Sequence, residues 1–197
     1  MWGSKIMELN KALEIRKSCR KYLKSKISDD FIQQISWAGS RAPYASGGPR
    51  REFYFLTDEE KKEKIWLACY KQSYVKECSV ITVICGKDLE GGAWDSRPKE
   101  KPKTVLQSGH AKYIFDVSAS VMCMDLMAHS LGLGTCWIGH FNWEEVQKII
   151  KSIERPVMLL LVGYPDLEWQ KKYYKNPQAL GYKTNPWGNN KEKVTIL

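Results

Sequence analysis

A chain of 197 residues, 43% apolar and 27% charged, fits one domain whose core needs no cross-links to hold it. Its apolar runs fall short of the roughly 20 residues that span a bilayer, and its start, MWGSKIMELNK, lacks a signal peptide's apolar stretch and cleavage site. A cytoplasmic protein without membrane contact is expected, with residues 1–6 either a dispensable extension or the mark of an alternative start at Met7. The formal net charge of +9 raises nucleic acid as a partner, but Lys and Arg are scattered. Neither an RNP-type aromatic motif nor a helix-turn-helix accompanies them, so that reading rests on charge alone.

In chain order, residues 7–17 predict a helix, with Ile6, Leu9, Leu13 and Ile15 partly on one face. Ser28 or Asp29 can cap a second helix running to about Ser40. A glycine- and proline-rich loop, RAPYASGGPRR, leads into a short strand, EFYFLT. DEEKKEKIWLACYKQSYVKE predicts one helix, Asp58 and the acidic pair after it complementing the macrodipole. CSVITVICG reads as a buried strand, and residues 88–108 as a long surface loop. Residues 109–131 form the most apolar helix, with Val117, Val121, Met124, Met127, Ala128 and Leu131 on one side. It belongs at the domain centre or at a subunit interface. A strand TCWIG, a helix NWEEVQKII and a strand RPVMLLLVGY follow, then a polar, turn-rich tail ending in KVTIL. Helices separating a few strands without strict alternation predict an α+β fold.

The candidate sites are sparse. The six cysteines form no C-x-x-C pair, and the three histidines stand at no ligand-like spacing to them. Free structural thiols are expected, and no metal. Gly132 and Gly134 follow a helix and precede a strand, the reverse of a dinucleotide fingerprint, and read as a C-cap and turn. SGGP at 46–49 lacks the Lys-Ser/Thr of a P-loop. Asp116 and Asp125 read as capping or surface residues, and no nucleophile motif appears. IRKSCRKY, residues 15–22, is open to three readings: a solvated helix end, a nucleic-acid strip, or a clamp on a small phosphate. If the chain extends after the helix, Arg16, Ser18 and Arg20 point to one side. Two guanidinium forks flanking a hydroxyl suit a phosphate monoester. Taken alone, the segment reads better as a solvated helix end.

The order of the motifs changes that balance. RKSCRKY, APYASGGPRREFYFLTD, YKQSYVKECSVITVICG, DVSASVMCMDLMAHSLGLGTCWIGHFNWEEVQKII and PVMLLLVGYPD together resemble the FMN-dependent nitroreductase family, from about residue 7 to residue 166. The resemblance implies a single domain over 1–197. Its core, at 7–166, is an antiparallel sheet flanked by helices, and residues 167–197 form a C-terminal extension laid against a partner. It implies an intertwined homodimer with FMN at the interface and 109–131 as the central contact. Arg16 and Ser18 fall on family positions toward phosphate and ribityl, and Arg20 on one toward the pyrimidine edge. Lys17 keeps the charge of a second arginine but not its fork. Pro43, Tyr44, Ala45 and Ser46 fall on the loop reaching the flavin from the other subunit. Trp137, Ile138 and Gly139 fall on the strand whose backbone borders the ring, and Gln72 and Lys71 are further carry-overs. The tail has no arginine after Arg155 for the phosphate, so Lys171 or Lys172 stands in. The loop also resembles the branch holding thiazoline-oxidising dehydrogenases.

The implied activity is ping-pong hydride transfer from NAD(P)H through FMN to a small acceptor, such as a nitro compound or quinone. The chemistry is then carried by the cofactor rather than by an acid–base pair. The alternatives are a flavin dehydrogenase acting on a peptide or metabolite without nicotinamide, a non-catalytic flavin-binding sensor or chaperone, and a basic nucleic-acid module.

Overall fold

The computed structural model describes residues 7–44, 48, 51–87 and 111–175. The expectations for residues 1–6, for Ala45 and Ser46, for the 88–108 loop and for KVTIL lie outside the described residues. Four strands, β1 (Arg51–Leu56), β2 (Val80–Gly86), β3 (Gly134–Ile138) and β4 (Arg155–Gly163), form one sheet in the order β1-β2-β4-β3, every neighbouring pair antiparallel. The helices are α1 (Leu9–Ile15), α2 (Asp29–Ser40), α3 (Glu59–Ala68), α4 (Ser73–Glu77), α5 (Ala111–Ser130), α6 (Trp143–Ile150) and α7 (Leu167–Lys175). The expected α+β class is the observed one.

Side-chain alternation divides the core into two layers. Ile81, Val83, Leu159, Leu161, Cys136 and Ile138 face one way, onto Ile65 of α3, Val75 of α4 and Val146 of α6. Val80, Ile84, Leu160 and Val162 face the other way, onto Ile35 of α2 and onto Val117, Val121, Met124 and Ala128 of α5. β2 is buried along its whole length, as its β-branched sequence predicts. Each buried side chain of this size contributes about 1.5–3 kcal/mol relative to exposure.

The caps follow the sequence. Ser28 Oγ accepts from the Phe31 amide at 3.3 Å, which settles the choice between Ser28 and Asp29. Asp58 and Asn142 likewise accept from the amides of Lys61 and Glu145. Gly132, at φ +79°, turns the chain out of α5 as the expected C-cap.

Four expectations need correction. The helix over 58–77 is broken: Tyr70 and Lys71 adopt left-handed conformations, ending α3 and redirecting the chain into α4. The apolar face expected on α1 does not enter the core. α1 buries Ala12 and leaves Leu9 and Leu13 at 62% and 50% exposure. The tail is not wholly irregular, since Leu167–Lys175 is helical. Finally, Asp116 and Asp125 are neither caps nor surface groups, at 3% and 1% exposure. All six cysteines are free, as expected, and five are buried. Among the described residues no helix is long and apolar enough to cross a membrane, and no His/Cys/Asp/Glu cluster could hold a metal.

Candidate functional site

The basic segment IRKSCRKY begins where α1 stops. Arg16 closes the last turn by donating to Ala12 O at 3.0 Å, then turns extended at ψ 123°. The extended chain lies on the outer edge of β3, which has β4 on its other side. Ser18 forms a parallel bridge with Thr135, and the Cys19 amide donates to Thr135 O at 2.6 Å. Two glycines make this approach possible. A Cβ on Gly134 would stand 2.8 Å from Cys19 Cβ, and one on Gly163 would stand 2.6 Å from the Tyr22 ring. Tyr22 then donates its hydroxyl to Cys19 O at 2.9 Å, and the Asp166 amide donates to Lys21 O at 3.1 Å. The segment is thus built into the fold and is not a loosely solvated helix end.

Alternation along it holds only in part. Ser18 and Arg20 both stand beside the Cys136 thiol, on the α3/α6 side of β3. Burial pushes that thiol up to about 11, against the opposing pull of the Arg20 charge and the Ser18 hydrogen bond. Arg16 instead reaches the α5 side, its guanidinium 3.9 Å from Asp125 Oδ2. The departure has a local cause. Arg16 still takes its direction from the last turn of α1, and strand-like alternation begins only after it. The Cys19 thiol is buried, and burial raises its pKa despite hydrogen bonds that lower it. It is an inert packing group, to which Gln170 of α7 donates at 3.0 Å.

Asp125, missed as a site residue in the sequence, organises the α5 side. Its Oδ1 accepts from Thr135 Oγ1 at 2.5 Å and its Oδ2 from Trp137 Nε1 at 2.9 Å. His129 Nδ1 lies 3.0 Å from Oδ1 and 2.9 Å from Asp125 O. Burial pushes this carboxyl up, but the hydrogen bonds it accepts from His129, Thr135 and Trp137 outweigh it and hold the pKa below the usual carboxylate range. The signal was a carboxylate in an apolar helix four residues before a histidine, one helical face shared by both.

Arg20 is linked to the end of β3 through Tyr74 and Gln72. The Arg20 guanidinium lies 5.9 Å from the Tyr74 ring, and Tyr74 donates to Gln72 Oε1 at 2.5 Å. Gln72 Nε2 donates to His140 O and Cys69 O, both at 3.0 Å. The left-handed pair Tyr70–Lys71 is what aims Gln72 at this strand end. Trp137 is half-buried, Ile138 is buried, and Gly139 emerges exposed, with nothing within 4 Å of where a Cβ would stand. The sheet edge therefore brings together Arg16, Lys17, Ser18, Arg20, Gln72, Trp137, Ile138 and Gly139.

It does not bring in the remainder. Pro43 and Tyr44 lie at β1, the opposite edge of the sheet. There buried Arg51 donates to the carbonyls of Ser40, Ala42 and Pro43, and its guanidinium lies 5.7 Å from the Tyr44 ring. Lys171 and Lys172 are exposed on α7, Lys171 pairing with Glu168 at 2.9 Å. They follow Gln170, which faces Cys19, and point about 100° and 200° round the helix from it.

The sheet order and this edge define a class of protein, and comparison with known proteins gives it a name. The nitroreductase family model matches residues 13–164: the chain belongs to the nitroreductase family and is an oxidoreductase. A relative from Archaeoglobus fulgidus, named as a candidate NADH dehydrogenase/NAD(P)H nitroreductase, is 27% identical over 174 residues, 85% of this chain and 90% of that protein. A Bacillus subtilis FMN reductase [NAD(P)H] is 24% identical over 166 residues, 80% of this chain and 66% of its own. The crystal structure of a nitroreductase family protein from Clostridium novyi NT superposes with a TM-score of 0.69 at 23% identity, covering 86% of this chain and 91% of that one.

Proposed function

We propose that this chain is an FMN-dependent NAD(P)H oxidoreductase, working by ping-pong hydride transfer to a small organic acceptor such as a quinone or nitro compound. The observation that carries the reading is the docking of residues 16–20 against Thr135 of β3, the strand that runs on to the exposed Gly139. The donor set fits the cofactor. The Arg16 guanidinium fork, the Lys17 charge and the Ser18 hydroxyl match a phosphate monoester, and the open space at Gly139 suits a flat ring against backbone. The Bacillus subtilis relative's name, with both FMN and NAD(P)H in it, supports the same choice.

Bound FMN would supply the hydride chemistry, accepting from the nicotinamide and passing to the acceptor. The chain's own residues bind and orient. Arg16, Lys17 and Ser18 hold the phosphate and ribityl end, with Lys171 or Lys172 as added point charges. The Lys171–Glu168 pair is exposed, and such pairs hold weakly. Arg20 places a fixed charge at the pyrimidine edge, where it offsets negative charge with no reorganisation. Gln72 is held by His140 O and Tyr74 at the strand end.

The active form is a homodimer in this reading. A second copy brings its own Pro43–Ser46 loop to the flavin, since in one chain that loop starts at the other edge of the sheet. A cytoplasmic setting agrees with six free thiols. The test is anaerobic mixing of purified, flavin-loaded protein with NADH and with NADPH. Rapid bleaching by either, reversed by a quinone, is expected. Bound flavin that neither nicotinamide bleaches would point instead to a dehydrogenase taking electrons from another substrate.

A further inference from the structure

His129 has no assigned role in the flavin site, yet it is buried at 5% exposure and touches the segment that would hold the cofactor. Its Nδ1 faces two acceptors, Asp125 O at 2.9 Å and Asp125 Oδ1 at 3.0 Å. A carboxylate and a carbonyl can only accept, so the proton must sit on Nδ1. Nε2 is then a lone pair, and the Lys17 amide donates to it at 3.4 Å. The neutral Nδ1–H imidazole is the one form that satisfies both sides. Any proton on Nε2 would face the Lys17 N–H donor head on.

We propose that His129 is a positioning residue for the cofactor grip. It pins the main chain at Lys17, between Arg16 and Ser18, and Asp125 fixes the tautomer that lets it do so. The assignment rests on the flavin reading and extends it to a residue outside the binding edge. The charged groups beside the imidazole are Asp125 on its own helix and, across that carboxylate, Arg16 on the docked segment. The Cys19 amide is tied to Thr135 O. The grip is therefore fastened at two alternate residues, Lys17 by α5 and Cys19 by β3. Loosening the first frees Arg16 and Ser18 together, which would be felt at the phosphate end of the ligand.

The tautomer is read by long-range proton–nitrogen NMR of the flavin-free protein. A proton on Nδ1 is expected, and a proton on Nε2 overturns the assignment. Titrations with FMN and with riboflavin, which lacks the phosphate, test the role. His129→Leu removes the acceptor and should weaken FMN about fivefold, the size of one neutral hydrogen bond, and riboflavin by clearly less. His129→Gln offers an amide oxygen to Lys17 and an amide donor to Asp125, and should bind FMN within about twofold of wild type. Unchanged FMN affinity in the leucine variant overturns the role, as does an equal loss for both flavins. If the leucine variant does not fold, the tautomer and the glutamine variant decide, and FMN binding lost in the latter overturns the role. Wild-type protein that binds neither flavin overturns the flavin reading and this role with it. The two failures are distinct, because the first leaves wild-type FMN binding intact.

Discussion

Gly134 and Gly163 sit opposite each other in the β3–β4 register, and together they form the notch that receives Cys19 and Tyr22. A Cβ at either position would come within 3 Å of those side chains, closer than carbon atoms approach without displacement. Gly163→Ala should therefore destabilise the protein by about 1–3 kcal/mol, the usual cost of overpacking. It should also weaken flavin binding, because the ring it meets belongs to the segment carrying Arg16 and Arg20. Denaturant unfolding and a flavin titration on the same variant check both effects. Normal stability with normal binding would mean that the segment does not depend on the notch.

Asp125 gives a pH signature. Its folded pKa lies below the ordinary 3.8, so its contribution is full above the unfolded value and is lost as pH falls through the folded one. Asp125→Asn should lower stability by about 1–3 kcal/mol at neutral pH, since Thr135, Trp137 and His129 lose an ionised acceptor. The gap between variant and wild type should close as pH drops below about 4. Denaturant unfolding across a pH series measures it, and a gap independent of pH would show that the carboxylate charge is not what matters.

The elements were legible because the signals are local. Caps such as Ser28 and Asp58, and the β-branched run of β2, act within a few residues. The break at Tyr70–Lys71 was not legible, because neither residue favours a left-handed conformation and the contacts with His140, made by the Tyr70 ring and Gln72 Nε2, come from a distant strand end. The role of Asp125 was hidden for a related reason. Its partners Thr135 and Trp137 are ten and twelve residues away, and their meeting depends on β3 folding back beneath α5. Arg16, Ser18 and Arg20 could be singled out as a group, but the separation of Arg16 onto the α5 side follows from where α1 ends. The apolar residues of α1 were readable as a face, yet among the described residues nothing buries Leu9 and Leu13.

The exposed apolar residues of α1 and α5 yield a prediction about assembly. Leu9, Leu13, Ile114 and Phe115 stand 46–62% exposed on α1 and α5, the helices that pack on each other. If a second copy covers them, Leu13→Glu and Phe115→Glu should shift the protein from dimer to monomer in sedimentation velocity, with loss of bound flavin. A wild-type monomer that retains flavin would refute the two-copy site.

Arg20 separates electrostatics from simple binding. Arg20→Ala should weaken flavin affinity, or slow its bleaching by nicotinamide, by about tenfold or more, the scale of a lost charge-assisted contact. Arg20→Lys should recover part of either loss, since it keeps the charge without the fork. Stopped-flow bleaching and equilibrium titration, run in parallel, assign the effect. A variant normal in both would remove Arg20 from the site.

The most direct measurement is the visible absorbance of the purified protein before and after denaturation, with the released chromophore identified by chromatography. The docked segment at β3 should hold about one FMN per chain, which denaturation sets free and the Arg16→Ala variant largely lacks. A colourless protein that takes up no FMN on titration would contradict the assignment of residues 16–20 as a flavin grip.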